Sequence, residues 1–180
     1  MRIISGDWRG RAIVAPKGDT TRPSADRTRE TLFSMLVSRL GSFDGLAVAD
    51  LFAGSGALGL EALSRGAASC QFVEQDRDAL AALDRNIIKL GAGPRSRVVR
   101  QSVLALPAQP QPLDLVMMDP PYTTGAGAVA LDRLSRFGWF GPASWIAVET
   151  ARSETIDVAG FTIDAVRDVG RARLHLLRSA

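Results

Sequence analysis

Apolar positions along the chain change period several times, and each change marks an element. Ser24 is placed to cap a helix in which Leu32, Phe33, Leu36, Val37 and Leu40 share one face, and Gly41 ends it. Leu46 to Phe52 is an apolar run of strand length that breaks at Gly54-Ser55-Gly56. Residues 58–64 predict a helix stopped by Gly66, 70–74 a strand, and 78–90 an amphipathic helix closed by Gly91-Ala92-Gly93-Pro94. A short strand is expected over 97–100, and three prolines make 106–112 a loop. Leu113 to Met118 is almost continuously apolar, as in a strand buried on both faces. A helix over 128–137 and a strand over 145–149 follow. The period then falls to two: 161–167 and 173–178 alternate around Gly170, predicting an antiparallel hairpin.

Strand and helix alternate through the middle of the chain, which predicts an α/β fold. It is a doubly wound, mostly parallel sheet of seven strands with an antiparallel C-terminal edge. Ahead of it, Ile3-Ile4 and Ala12-Ile13-Val14 flank a Gly-rich turn. Residues 1–23 therefore read as a small β-hairpin extension and 24–180 as the domain. Every predicted core strand lies beyond residues 1–20, so deleting those residues is expected to leave the sheet folded.

Composition removes several function classes. The chain has 180 residues, with one cysteine, Cys70, and one histidine, His175. An internal disulfide, a Cys- or His-built metal site and a Ser–His relay are thereby disfavoured, and no metal is expected. No apolar stretch reaches membrane-spanning length and no secretory h-region follows Met1, so a cytoplasmic protein with no membrane partner is expected, a monomer by default. Cys70, Trp139 and Trp145 read as core, and His175 lies in the terminal hairpin without a partner of ligand spacing.

Charge is uneven. Residues 1–29 carry seven basic and three acidic side chains, while the rest of the chain is close to neutral. A basic arm on a neutral body suits a phosphate-bearing partner, and Arg2, Arg9, Arg11, Arg22, Arg27 and Arg29 are the candidate nucleic-acid contacts. Trp8, between Asp7 and Arg9, either stacks on a base or fastens the hairpin.

The loop after the first core strand reads Asp50-Leu-Phe52-Ala-Gly54-Ser55-Gly56-Ala-Leu-Gly59. Its glycines permit a tight turn and close approach of a ligand to the main chain. The G-x-G-x-x-G spacing, with Glu74 about 20 residues on as a ribose acceptor, fits a dinucleotide as well as another adenosine cofactor. Asp50 tips the choice. A carboxylate at that strand end repels a pyrophosphate but receives an ammonium, which S-adenosylmethionine has. Glu74 is placed to take both ribose hydroxyls in a fork.

Asp119-Pro120-Pro121-Tyr122 ends the fourth strand. The prolines stiffen the turn and remove N–H donors. The Asp119 carboxylate and Pro120 carbonyl then suit the two hydrogens of an exocyclic amine, an interaction that strengthens as the nitrogen becomes tetrahedral. Tyr122 offers a ring on which a flipped base can stack. No metal or histidine is needed.

With these motifs in place, the chain resembles the RsmD family over nearly its whole length. The resemblance rests on Asp50 to Arg65, on Asp119 to Tyr122, on Arg2 to Arg11, and on Thr21-Arg-Pro-Ser-Ala-Asp-Arg-Thr-Arg-Glu-Thr-Leu-Phe33. It implies a Rossmann-like methyltransferase fold using S-adenosylmethionine. The implied reaction is methylation of guanine 966 at N2 in 16S rRNA, on an assembled or assembling small ribosomal subunit. By the same resemblance Asp50, Phe52, Gly54, Ser55, Gly56 and Glu74 hold the cofactor and Asp119 to Tyr122 are catalytic. After the third strand, where relatives often carry Asp or Asn for the adenine amine, this chain has Ser102, and a backbone N–H near Val103 is the substitute. Arg22, Asp26, Arg27 and Glu30 fall in the motif beside the active-site mouth. The alternatives are a DNA amino-methyltransferase, disfavoured because no target-reading domain is evident, and a dinucleotide-binding module without chemistry.

Overall fold

A computed structural model of the chain describes residues 1–17 and 23–180, without the side chains of residues 23 and 24. Arg22 and the capping role expected of Ser24 therefore lie outside the described part. Among the described residues there are four α-helices: α1 (Pro23–Leu40), α2 (Ala57–Ser64), α3 (Arg77–Leu90) and α4 (Ala126–Arg136). The strands are β1 (Ala47–Leu51), β2 (Ser69–Val73), β3 (Ser96–Val99), β4 (Leu115–Met118), β5 (Trp145–Ala151), β6 (Phe161–Val169) and β7 (Ala172–Ser179). Every helix and strand predicted beyond residue 24 is found, with ends displaced by at most two residues. Caps account for some of those ends: Asp76 accepts from the Ala79 N–H at 2.8 Å, starting α3, and Gly91 closes it at φ 68°.

The sheet runs β3-β2-β1-β4-β5-β7-β6. β1 pairs in parallel with both β2 and β4, and only β7 runs antiparallel to its neighbours β5 and β6. Strand order reverses between β1 and β4, so a crevice opens beyond their carboxyl ends. Alternate residues face opposite layers. Val48, Cys70, Phe72, Leu115 and Met117 pack with α1, α2 and α3, whereas Leu51, Val73, Val116, Met118 and Val148 pack with α4. Gly59 makes the α2 contact possible, since a Cβ there would stand 2.3 Å from the Phe72 ring and 2.6 Å from the Cys70 sulfur.

The N-terminal segment differs from its expectation as a removable extension. One antiparallel bridge joins Arg2 to Ala12, as a hairpin requires, but Ile3 and Ile13 are buried in the core. Glu61 on α2, fully buried, accepts from the N–H groups of Ile4 (2.8 Å) and Ser5 (3.0 Å) and from Arg65. Ser64 accepts from the Trp8 N–H at 3.0 Å and donates to the Ser5 carbonyl at 2.6 Å. Asn86 on α3, also fully buried, grips both backbone groups of Val14 and donates to the Ser55 carbonyl at 2.9 Å. These chain-distant bonds satisfy buried polar groups, so the segment is part of the fold.

Candidate active site

β1 delivers Asp50 to the crevice and then turns sharply. Phe52 takes φ 61°, a left-handed conformation strained for an aromatic residue, and Gly54 and Gly56 follow at φ 56° and 82°. Asp50 is buried, and its carboxylate accepts from the Gly59 N–H at 2.8 Å. Burial pushes its pKa up to about 8, the Gly59 bond opposes the shift, and the nearby Glu74 charge adds to it. A buried acid with its pKa so raised favours a cation beside it.

Glu74 follows the last residue of β2 and is already occupied. It accepts from Gly54 at 2.8 Å through one oxygen and from Gln75 (2.8 Å) and Asp76 (2.9 Å) through the other. A carboxylate has about four acceptor sites, so three N–H donors leave room for one hydroxyl rather than the expected two-hydroxyl fork. Ser102 caps the short 3-10 turn that follows β3 by accepting from the Leu104 N–H at 3.2 Å, and the Val103 side chain is core.

At the end of β4 the Asp119 N–H donates to the Leu51 carbonyl at 3.4 Å, joining the tetrad to the glycine loop. Pro120 is buried and Pro121 exposed, its carbonyl taken by the Thr124 hydroxyl at 2.7 Å. Gly127 lets α4 pass over Pro120, whose Cγ would lie 3.3 Å from a Cβ there. The carboxylate of Glu154 clamps the following loop, accepting from Thr123 (2.9 Å) and Ala151 (3.0 Å). Tyr122 donates its hydroxyl to Glu149 on β5. Burial and the surrounding carboxylates hold that phenol far above its ordinary pKa, so it stays protonated.

Asp50, Phe52, Gly54, Ser55, Asp119 and Tyr122 line one cavity of about 530 Å³, a size suited to a small-molecule ligand. The β6–β7 turn (Gly170, Arg171), Met1 and Arg29 also line it. Gly56, Glu74, Ser102 and Val103 do not line it. Gly56 faces inward, where a Cβ would meet Leu83 at 2.4 Å, and the other three sit at the neighbouring ends of β2 and β3.

The arm's basic residues divide. Arg2, Arg9, Arg11 and Arg27 are exposed. Arg29, expected among the phosphate contacts, is instead 4% exposed and donates to the Arg2 carbonyl at 2.6 Å and to Asp26 at 3.0 Å, so it is not a surface phosphate contact. Trp8 fastens the segment, packed against the core with the Arg95 guanidinium 5.1 Å from its ring. His175 is buried, bonded through Nδ1 to the Val148 carbonyl at 3.4 Å. Among the described residues no cluster could hold a metal ion, and no helix is long and apolar enough to cross a membrane. Sequence reasoning missed Glu149 and Glu154. Glu149 had the same mark as Asp50, Glu74 and Asp119, an acid at the carboxyl end of an apolar strand.

The family described as conserved hypothetical protein 95 matches residues 1–178. Ribosomal RNA small subunit methyltransferase D of Escherichia coli (strain K12) is 41% identical over 151 residues, 83% of this chain and 74% of that protein. The protein of the same name from Haemophilus influenzae is 36% identical over 160 residues, 87% of this chain and 81% of that protein. The solved structure of yhhF from Escherichia coli superposes with a TM-score of 0.84 at 36% identity, covering 99% of this chain and 97% of that one.

Proposed function

The chain belongs to the family described as conserved hypothetical protein 95, and from that membership we propose that it is an S-adenosylmethionine-dependent ribosomal RNA methyltransferase. Its acceptor is the N2 amine of guanine 966 in 16S rRNA within an assembled or assembling small subunit. One observation carries the reading: the buried Asp50 carboxylate and the two ends of the tetrad, Asp119 and Tyr122, wall the same cavity. The names of the two relatives supply the substrate class.

The residues present fit the cofactor. Asp50, with its pKa raised by burial, takes the amino-acid ammonium, and the Phe52–Ser55 turn passes close to the same end. Glu74 receives a ribose hydroxyl, and the Ser102–Val103 backbone borders the adenine. When bound, the cofactor would supply an electrophilic methyl carbon for N2, its sulfur keeping the electron pair of the bond given up. Asp119 and the Pro120 carbonyl accept the amine hydrogens and point the N2 lone pair at that carbon. Asp119 then receives the proton that N2 sheds and passes it to water. Tyr122 stacks on the extruded base, while Arg2, Arg9, Arg11 and Arg27 hold rRNA phosphates.

The test is transfer of labelled methyl to small-subunit particles, naked 16S rRNA and duplex DNA, with nucleosides identified by mass spectrometry. N2-methylguanosine from rRNA is expected. Label in DNA, or in another nucleoside, overturns the reading, as does calorimetry showing NAD bound and S-adenosylmethionine not.

A further inference from the structure

Glu149 stands where a second recognition group for the acceptor base is needed. Val148 on β5 pairs in register with Met118 on β4, so Glu149 and Asp119 each follow that pair at the sheet's carboxyl edge. Both line the cavity together with Tyr122. Burial pushes the Glu149 carboxyl up, and the bond from the Tyr122 hydroxyl pulls it back. Among the described residues no arginine or lysine pairs with it. A half-buried carboxylate without a cation requires N–H or O–H donors.

Three nucleobases carry an exocyclic amine, and they differ in the ring atom beside it. Adenine and cytosine place an unprotonated ring nitrogen there, an acceptor that a carboxylate repels. Guanine places N1–H there, a donor. Two neighbouring carboxylates therefore match the adjacent N2 and N1 donors of guanine and reject the other two bases. We infer that Glu149 is the guanine-selecting residue, accepting N1–H while Asp119 accepts a hydrogen of the N2 amine. The inference rests on the guanine reading above. Tyr122 occupies Glu149 when no base is present, keeping the carboxylate supplied with a donor until N1–H replaces it.

The experiment uses 2-aminopurine, which keeps the N2 amine but has an unprotonated N1. Small subunits are reconstituted with 16S rRNA ligated from a synthetic segment bearing guanine or 2-aminopurine at the target position, and kcat/KM is measured for each. Wild-type protein is expected to favour guanine by about ten- to a hundredfold, the discrimination of a paired base contact. Glu149→Gln can turn its amide N–H to the N1 lone pair, so the 2-aminopurine-to-guanine ratio should rise at least about tenfold. Glu149→Asp keeps the charge and should keep the rejection. Cofactor affinity should be unchanged in both variants. Equal use of the two bases by wild-type protein overturns the inference without any variant. So does a Glu149→Gln protein that loses both activities in the same proportion, the mark of a residue that only orients Tyr122. Wild-type protein that methylates neither base defeats the guanine reading itself, and this inference with it.

Discussion

Gly54 and Glu74, 20 residues apart in the chain, are joined by a 2.8 Å hydrogen bond from the Gly54 N–H to the Glu74 carboxylate. The acid expected to touch the cofactor thus also holds the loop that the cofactor approaches. Glu74→Ala should weaken S-adenosylmethionine binding about ten- to a hundredfold, the range for losing charge-assisted bonds. It should also lower the melting temperature of the free protein, because three N–H groups lose their acceptor. Glu74→Gln retains one carbonyl oxygen and should fall between. Calorimetry and thermal melting on the same samples check both effects, and unchanged affinity in Glu74→Ala would show that β2 does not border the cofactor.

Asp50 makes cofactor affinity depend on pH. Its folded pKa of about 8 lies above the ordinary 3.8, so the free protein holds a proton there at neutrality. Capture of an ammonium ionises the group and releases that proton. Between pH 6 and 7, below the titration of the cofactor's own amine at about 7.7–8.0, affinity should rise by up to about tenfold per pH unit. Asp50→Asn should bind weakly and without that slope.

The same shift bears on stability. The folded state holds more protons than the unfolded one between the two pKa values, so the contribution of Asp50 is full below pH 3.8 and is lost as pH rises toward 8. Asp50→Asn should therefore melt higher than wild type at pH 8, with the difference shrinking toward pH 5.

Asp119→Ala should lower kcat by about a hundredfold or more while leaving RNA affinity near wild type, since its bond to the amine strengthens in the transition state. Tyr122→Ala should raise KM by about tenfold or more through lost stacking, and Tyr122→Phe should keep most of the activity. Turnover near wild type in Asp119→Ala would make the tetrad a structural turn.

Deleting residues 1–16 uncovers the buried Glu61 and Asn86 and removes Ile3 and Ile13 from the core. Loss of the two isoleucines alone costs about 3–6 kcal/mol, so the truncated protein should be unfolded or should melt far below the parent by circular dichroism. Arg9→Ser with Arg11→Ser spares the core. That pair should leave the melt nearly unchanged and make the salt dependence of rRNA binding shallower, by about two phosphate contacts. An unaltered salt slope would remove the arm from the RNA interface.

Gly6 sits at φ 83° with the Ser64 carbonyl oxygen 1.8 Å from where a Cβ would be built. Gly6→Ala must push the hairpin off α2 and should destabilise by about 2 kcal/mol or more, measured by denaturant unfolding.

What the sequence determined by itself was local. Hydrophobic period separates strand from helix over a handful of residues, and acids or glycines at strand ends are visible as such. The seven strands, the Asp50–Gly59 loop and the Asp119–Tyr122 tetrad were legible for that reason. The crevice was legible too, because strand order in a doubly wound sheet brings the first and fourth strand ends together. Tertiary structure decided whatever depends on a partner far along the chain. Glu61 reaches back 57 residues to Ile4 and Asn86 reaches back 72 to Val14, and neither bond leaves a periodic trace. A basic segment that looks solvated in sequence is therefore partly core, with Arg29 buried and Trp8 packed under Arg95. Glu149 likewise gains its place only when β5 aligns with β4 and sets it beside Asp119 and under the Tyr122 hydroxyl. Desolvation, which shifts Asp50 and Glu149, belongs to the packed sheet and not to any stretch of chain.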